Sequence, residues 1–390
     1  MKNRIGKLLA ALILLMLLWG VAVAESGEAE NIAAKCKLSV SSNKSSRTKL
    51  VKGGFRDYWP CAPGDTITVE TPEGTLAQGV MVTFLGDVPE LTIASNGQMI
   101  AEFTEGFVTD YIPFSKPVDS FTITIGDGAE SFHFKRLQIY SEGKLPDTVQ
   151  QWERMDGPAD IMLIATHPDD ELLWFGGLLP TYAGELQKKV IVVYTVGSSD
   201  FRRPELLAGL WTCGVRYYPE IGNFPDRNAK TMKEYVAMWG GEDAPRQFLV
   251  ELIRKYRPSV VVTQDIDGEL GHTHHKMTVR AAIDAVTELA GNPDWDAPSA
   301  EQYGAWQPHK LYVHLWQEDR TVFDWRQPLT AFDGETSLSV AKRAFKMHGS
   351  QQSGRYSVQD SGRADCRIMG LYWSDVGPDE AHNDLLEHIE

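Results

Sequence analysis

Residues 160–171 read DIMLIATHPDDE, and the fold turns on this stretch. Ile161-Met162-Leu163-Ile164-Ala165 is a short apolar run without polar alternation. Such a run is the signature of a strand buried on both faces, as in a parallel sheet covered by helices. It stops at Thr166, and His167, Pro168, Asp169, Asp170 and Glu171 follow at once. Open α/β sheets carry their reactive groups beyond the carboxyl ends of their strands. The cluster therefore stands where chemistry is expected.

Working outward, a helical stretch begins at Glu171, and Lys189–Thr195 reads as another buried strand. Arg246 to Tyr256 has helical periodicity and runs into a third apolar strand, Pro258–Thr263. A helix is expected from about Lys276 to Ala290. Strand-helix alternation of this kind defines an α/β, doubly wound (Rossmann-like) domain, expected over residues 149–390.

A second polar cluster, Gly271-His272-Thr273-His274-His275, follows the strand that ends near Gln264. His167 and Asp170 are three residues apart, as are His272 and His275, so each pair can aim at one point from a helical turn. Adjacent acids such as Asp169 and Asp170 commonly do no more than sit at a helix N-terminus, where negative charge is favoured. Two clusters at two strand ends argue for more than that. Imidazole with carboxylate suits Zn²⁺, and three protein ligands leave a position open for water.

The N-terminal half has a different period. From about Lys37 to Tyr140 short alternating segments recur between turn residues: Thr66–Glu70, Val80–Phe84, Phe107–Ile112, Phe121–Ile125 and Phe132–Tyr140. That pattern predicts an all-β sandwich, assigned to residues 25–148. Ser141–Asp147 has linker composition, and the periodicity changes after it.

Ahead of the sandwich, Lys2, Arg4 and Lys7 precede an apolar run, Leu8–Ala24, that ends in Ala22-Val23-Ala24. This is the pattern of a signal peptide over residues 1–24, cleaved on export. The other reading, a retained anchor, requires a run of about 17 residues to span a bilayer, at the short edge of what can. The chain is thus expected to be secreted or extracytoplasmic, without stable membrane association. Its formal charge of −15 argues against a nucleic-acid partner and equally against anionic membrane surfaces. The four cysteines, Cys36, Cys61, Cys213 and Cys366, form no C-x-x-C pair. In an oxidising compartment disulfides are expected, with Cys36–Cys61 the preferred pairing.

HPDDE after a strand with a later G-H-x-x-H resembles the PIG-L/LmbE-type N-acetylglucosaminyl deacetylases. The resemblance covers about Ala159 to the C-terminus and takes in Arg202-Arg203-Pro204-Glu205, Phe224-Pro225-Asp226 and Ala344–His348 with Ser350-Gln351. It implies that His167, Asp170 and His275 bind Zn²⁺ and that Asp169 is the general base. It further implies that His272 stabilises the oxyanion, with protonation of the leaving amine as an added role. Arg202 and Asp226 would hold the sugar of an amino-sugar glycan or glycoconjugate. This chain departs from the family at His274, where an acid is usual. His274 is read as lying behind the ligands or facing solvent, with an exchange of ligand role with His275 left open.

The segment from Lys49 through Gly53, Gly54 and Phe55 to Trp59 resembles a loop of discoidin or galactose-binding-like jelly rolls. That implies an accessory, sugar-binding role for the sandwich; Trp59 and Tyr58 themselves are read as core aromatics under a loop. Trp174, Phe175 and Trp239 are read as core, with sugar contact as the alternative. His348 is read as packing, and His382 and His388 as solvated. The functional expectation is a zinc-dependent deacetylase acting on N-acetylglucosamine-containing substrates. The alternatives are an amidase on another amide-bearing glycoconjugate and a glycan-binding protein with a vestigial metal site.

Overall fold

A computed structural model describes residues 27–197 and 199–389. The expected signal segment, 1–24, lies outside the described residues. Among the described residues no helix is long and apolar enough to cross a membrane.

The N-terminal half is a sandwich of two antiparallel sheets. One has the order β1 (Lys37–Val40), β3 (Thr66–Glu70), β8 (Ser120–Ile125), β5 (Leu91–Ser95), β6 (Gln98–Phe103). The other has the order β2 (Trp59–Cys61), β9 (Phe132–Ser141), β4 (Ala77–Leu85), β7 (Thr109–Val118). Alternate residues such as Ile67 and Val69, or Phe121, Ile123 and Ile125, point inward and fill the space between the sheets. Trp59 is fully buried there, its indole N–H donating to the Ser42 carbonyl at 3.0 Å. Sequence alternation exposed β3, β4, β7, β8 and β9; β1, β2, β5 and β6 were not read.

The expected Cys36–Cys61 disulfide is not formed, and all four cysteines are free. The Cys36 thiol contacts the Ile32 carbonyl, whereas Cys61 on β2 turns its sulfur toward the Phe132 carbonyl. The two side chains are committed to different partners.

The C-terminal half is built on one seven-stranded sheet, ordered β12 (Glu220–Phe224), β11 (Val190–Val196), β10 (Ile161–Ala165), β13 (Val260–Thr263), β14 (Lys310–His314), β16 (Ile368–Ser374), β15 (Arg320–Val322). The first five run parallel, and β16 and β15 close the edge antiparallel. Ile161, Leu163 and Ala165 enter one core beside Leu172 and Leu206, while Met162 and Ile164 enter the other beside Leu249, Ile253 and Val279. Burial on both faces explains the unbroken apolar run of the opening stretch. The fold class is α/β, as the sequence implied.

From β10 the chain moves to β11 on one side, and from β13 it moves to β14 on the other. The crevice between the carboxyl ends of β10 and β13 is therefore the topological switch point, where ligands bind in such sheets. Both polar clusters open into it.

The helix expected from Glu171 is shorter than its pattern. Asp170–Leu173 makes one turn, and a wide π-turn follows at Pro180–Glu185. Between them Gly176 adopts φ 48° and passes so close to Cys366 that a Cβ would lie 2.3 Å from its sulfur. Packing against that distant segment overrides the local helical period.

The halves meet along an aromatic seam. Phe107 of the sandwich stacks on Tyr218 at 4.3 Å, and Phe55 and Tyr58 approach Phe201 at 5.7 and 6.5 Å. Phe201 immediately precedes Arg202, so the sandwich buttresses the turn that carries this site residue.

Candidate metal centre and active site

The turn after β10 points its groups into the crevice through short local contacts. The Asp170 carboxylate accepts from the His167 amide at 2.7 Å through Oδ2 and from the Trp174 indole at 2.7 Å through Oδ1. Across the switch point, His275 comes from the helix Thr273–Asp284. His167 Nδ1 lies 3.0 Å from His275 Nε2 and 3.4 Å from Asp170 Oδ2, and His275 Nε2 lies 3.3 Å from Asp170 Oδ2. Bonds of about 2.0–2.1 Å in a tetrahedral ion place neighbouring donors roughly 3.3 Å apart. The three atoms thus already stand at the spacing of a common divalent metal, and all three residues are buried. The donor set fits the group the sequence implied.

These groups also lean on one another. Burial works to raise Asp170, but His275 and His167 overcome it and hold the carboxyl well below its usual range. Burial disfavours the His167 imidazolium, yet Asp170 and Asp226 outweigh it and bring the ring up to about 9. A cation seated there replaces that proton.

Asp169 stands beside the triangle with φ 109°, a left-handed conformation costing a non-glycine residue on the order of 1–3 kcal/mol. Such strain persists only where neighbours enforce it. Its amide donates to Glu171 Oε2 at 2.8 Å, and its carboxylate meets the Arg202 guanidinium at 3.3 Å. Burial raises the Asp169 carboxyl and Asp170 adds to the rise, whereas Arg202 opposes it. Arg202 also donates to the Pro168 carbonyl. It thus braces the HPDDE turn as well as lining the cavity.

His272 lies on the exposed rim, its ring 5.1 Å from that of His167 and 4.8 Å from that of His275. Partial burial and the neighbouring histidines push it down to about 4, so it is a neutral imidazole near pH 7. Asp226 reaches His167 Nε2 at 3.6 Å, the nitrogen facing away from the triangle. It orients the ligand ring in the manner of carboxylates behind metal-binding histidines, while also lining the cavity.

His274 does not face solvent. It is 1% exposed, stacks on Trp239 at 5.5 Å and places Nδ1 3.3 Å from His167 Nε2. His167, His272 and His274 form a second group close enough to hold a metal. That group includes the exposed His272, so the buried triangle with Asp170 is the better-enclosed set.

The cavity above these groups measures about 350 Å³ and is lined further by Trp174, Leu270, Gln351 and Tyr356. Trp174 both packs and reaches the site, Phe175 is wholly core, and Trp239 supports His274. Four buried polar groups lie beneath the two loops: Glu171, which the sequence showed only as the end of the HPDDE motif, His348, which it read as packing, and Glu269 and His314, which it passed over. His314 closes a parallel strand at its carboxyl end, the signal by which it could have been found.

Residues 162–286 match the family described as PIG-L: GlcNAc-PI de-N-acetylase. The α/β half of this chain resembles the PIG-L deacetylases. A 1D-myo-inositol 2-acetamido-2-deoxy-alpha-D-glucopyranoside deacetylase of Saccharopolyspora erythraea is 29% identical over 174 residues, 36% of this chain and 56% of the relative. The chain therefore spans little more than half the length of the curated relatives it matches. Among solved structures, N,N'-diacetylchitobiose deacetylase from Pyrococcus horikoshii aligns at a TM-score of 0.36 and 18% identity. That alignment covers 50% of this chain and 71% of that one. A family 32 CBM from C. perfringens NanJ aligns at a TM-score of 0.25 and 17% identity, covering 29% of this chain and 98% of that one.

Proposed function

We propose that this chain is an exported, zinc-dependent hydrolase that removes the N-acetyl group from an N-acetylglucosamine-containing glycan or glycoconjugate. The observation that carries the reading is the buried triangle of His167, Asp170 and His275, set at metal spacing with Asp169 at its side. The deacetylase names of the matched relatives supply the substrate class.

When bound, zinc acts as a Lewis acid that polarises a carbonyl and lowers the pKa of water from ~15.7 to about 7. Asp169, held for the task by Arg202 and by its own anchored amide, takes the proton from the attacking water, and that proton passes to the leaving nitrogen as the C–N bond breaks to free acetate and the amine. His272, neutral at working pH, donates its N–H to the oxygen that gains charge in the tetrahedral intermediate. Arg202 and Asp226, both lining the cavity, are in place to meet sugar hydroxyls. Trp174 and Leu173 close one wall and limit water around the reacting amide.

The direct test is acetate release from N-acetylglucosamine oligomers and from N-acetylglucosaminyl-inositol, with and without a chelator. Release that stops on chelation and returns with Zn²⁺ is expected. Zinc-loaded protein that frees no acyl group from any amino sugar, yet still binds one when Asp169 is changed to Ala, would establish a binding protein instead.

A further inference from the structure

Two residues beyond Asp169, the Glu171 carboxylate lies in full burial with both oxygens engaged. Oε2 accepts from the Asp169 amide at 2.8 Å, and Oε1 accepts from His348 Nε2–H at 3.0 Å. His348 is itself completely buried and lies 177 residues away in sequence. If this place needed only filling, an apolar pair would do it without removing a carboxylate from water. The polar pair is retained at the one point of the turn where a non-glycine residue is held at positive φ.

His348 is well fixed. Its amide donates to the Phe345 carbonyl at the end of the helix Ser337–Phe345, and its ring stacks on Phe345 at 6.2 Å. Just beyond, Ser350 donates to Glu205 from both amide and hydroxyl, at 2.9 and 2.6 Å. The facing helix, Arg203–Thr212, makes room with Gly209, where a Cβ would lie 2.9 Å from His348 Nε2. Glycine inside a helix is unfavourable relative to alanine, and here the imidazole occupies the space a methyl would need.

We propose that His348 is a positioning residue of the reaction. Through Glu171 it holds the Asp169 amide and so aims the Asp169 carboxylate at the reacting water. The inference rests on the deacetylase reading for its effect on rate, but the positioning has a readout of its own. That readout is amide hydrogen exchange in the peptide 166–172, followed with zinc content and with kcat and KM on N,N'-diacetylchitobiose.

In the full chain, His348→Ala is expected to speed exchange in that peptide and to lower kcat about 10- to 100-fold. Bound zinc stays at the wild-type level and KM stays within about twofold. His348→Gln, which keeps an N–H donor, is expected to restore both protection and most of kcat. Gly209→Ala keeps the imidazole but displaces it, and serves if His348→Ala does not fold; it is expected to reproduce the loss of protection. Unchanged exchange in 166–172 for the folded variants overturns the proposal, and so does a kcat loss that glutamine fails to rescue. Loss of protection in a protein whose wild type releases no acetate would leave the positioning standing and overturn the deacetylase reading instead.

Discussion

The two loops that meet at the switch point are built alike below and differently above. Each rests on a buried carboxylate–histidine pair: Glu171 with His348 under the turn after β10, and Glu269 with His314 at 2.7 Å under the loop after β13. Each carboxylate also takes a backbone amide of its own loop, Asp169 in the first and Asp265 in the second. Above these bases the loops diverge. The turn 167–171 is wholly buried, whereas Leu270 is 54% exposed and Gly271 and His272 are exposed with it. The buried loop can hold charges at metal spacing because water does not screen them. The exposed loop presents one neutral imidazole to the cavity. On the proposed function, one loop would supply the base and most of the metal donors, and the other would mainly receive the substrate.

The most severe way to break that division is to remove the base. Asp169→Ala is expected to lower kcat by about 10²–10⁴-fold while zinc, measured by elemental analysis, stays bound. Loss of the metal together with the activity would place Asp169 among the ligands and erase the distinction. On the exposed loop, His272→Ala is expected to cost roughly 10²–10³ in kcat, again with metal retained. A variant that lost only KM would make His272 a binding group alone. His314→Ala leaves Glu269 buried without its partner, a change that costs about 3–5 kcal/mol in comparable pairs. Urea denaturation should show that loss, and an unchanged midpoint would mean the second loop does not depend on its base. The smallest effect concerns pH. Arg202 lowers the Asp169 carboxyl, and Asp169 must be ionised to take a proton. Arg202→Gln therefore raises its pKa and moves the acidic limb of kcat/KM to higher pH. A limb that stays in place or moves down would contradict the pairing.

The legibility of the two loops in the sequence also differs. His167, Asp169 and Asp170 follow an apolar run so regular that strand, strand end and site could be read together. His272 and His275 were equally visible, but their surroundings were not. His274 lies one residue from His275, and only the stack on Trp239 and the contact with His167 show that it turns inward. Asp226 was read as a sugar-binding group, yet it also stands 3.6 Å behind His167. No local pattern could say so, because β12 and the turn after β10 become neighbours only through the sheet. The helix expected after Glu171 failed for the same reason: Gly176 yields to Cys366, nearly two hundred residues on.

By itself the sequence determined the periodicities, and with them a sandwich followed by a parallel sheet, as well as the two strand-end clusters and their spacing. Those are local properties, set by which side chains repeat every second residue and which polar groups end the run. Only the tertiary structure decided which carboxylate meets which histidine, and that His348 reaches back under the HPDDE turn. Partners separated by 177 residues are chosen by how helices pack on the sheet, and packing depends on every side chain between them at once.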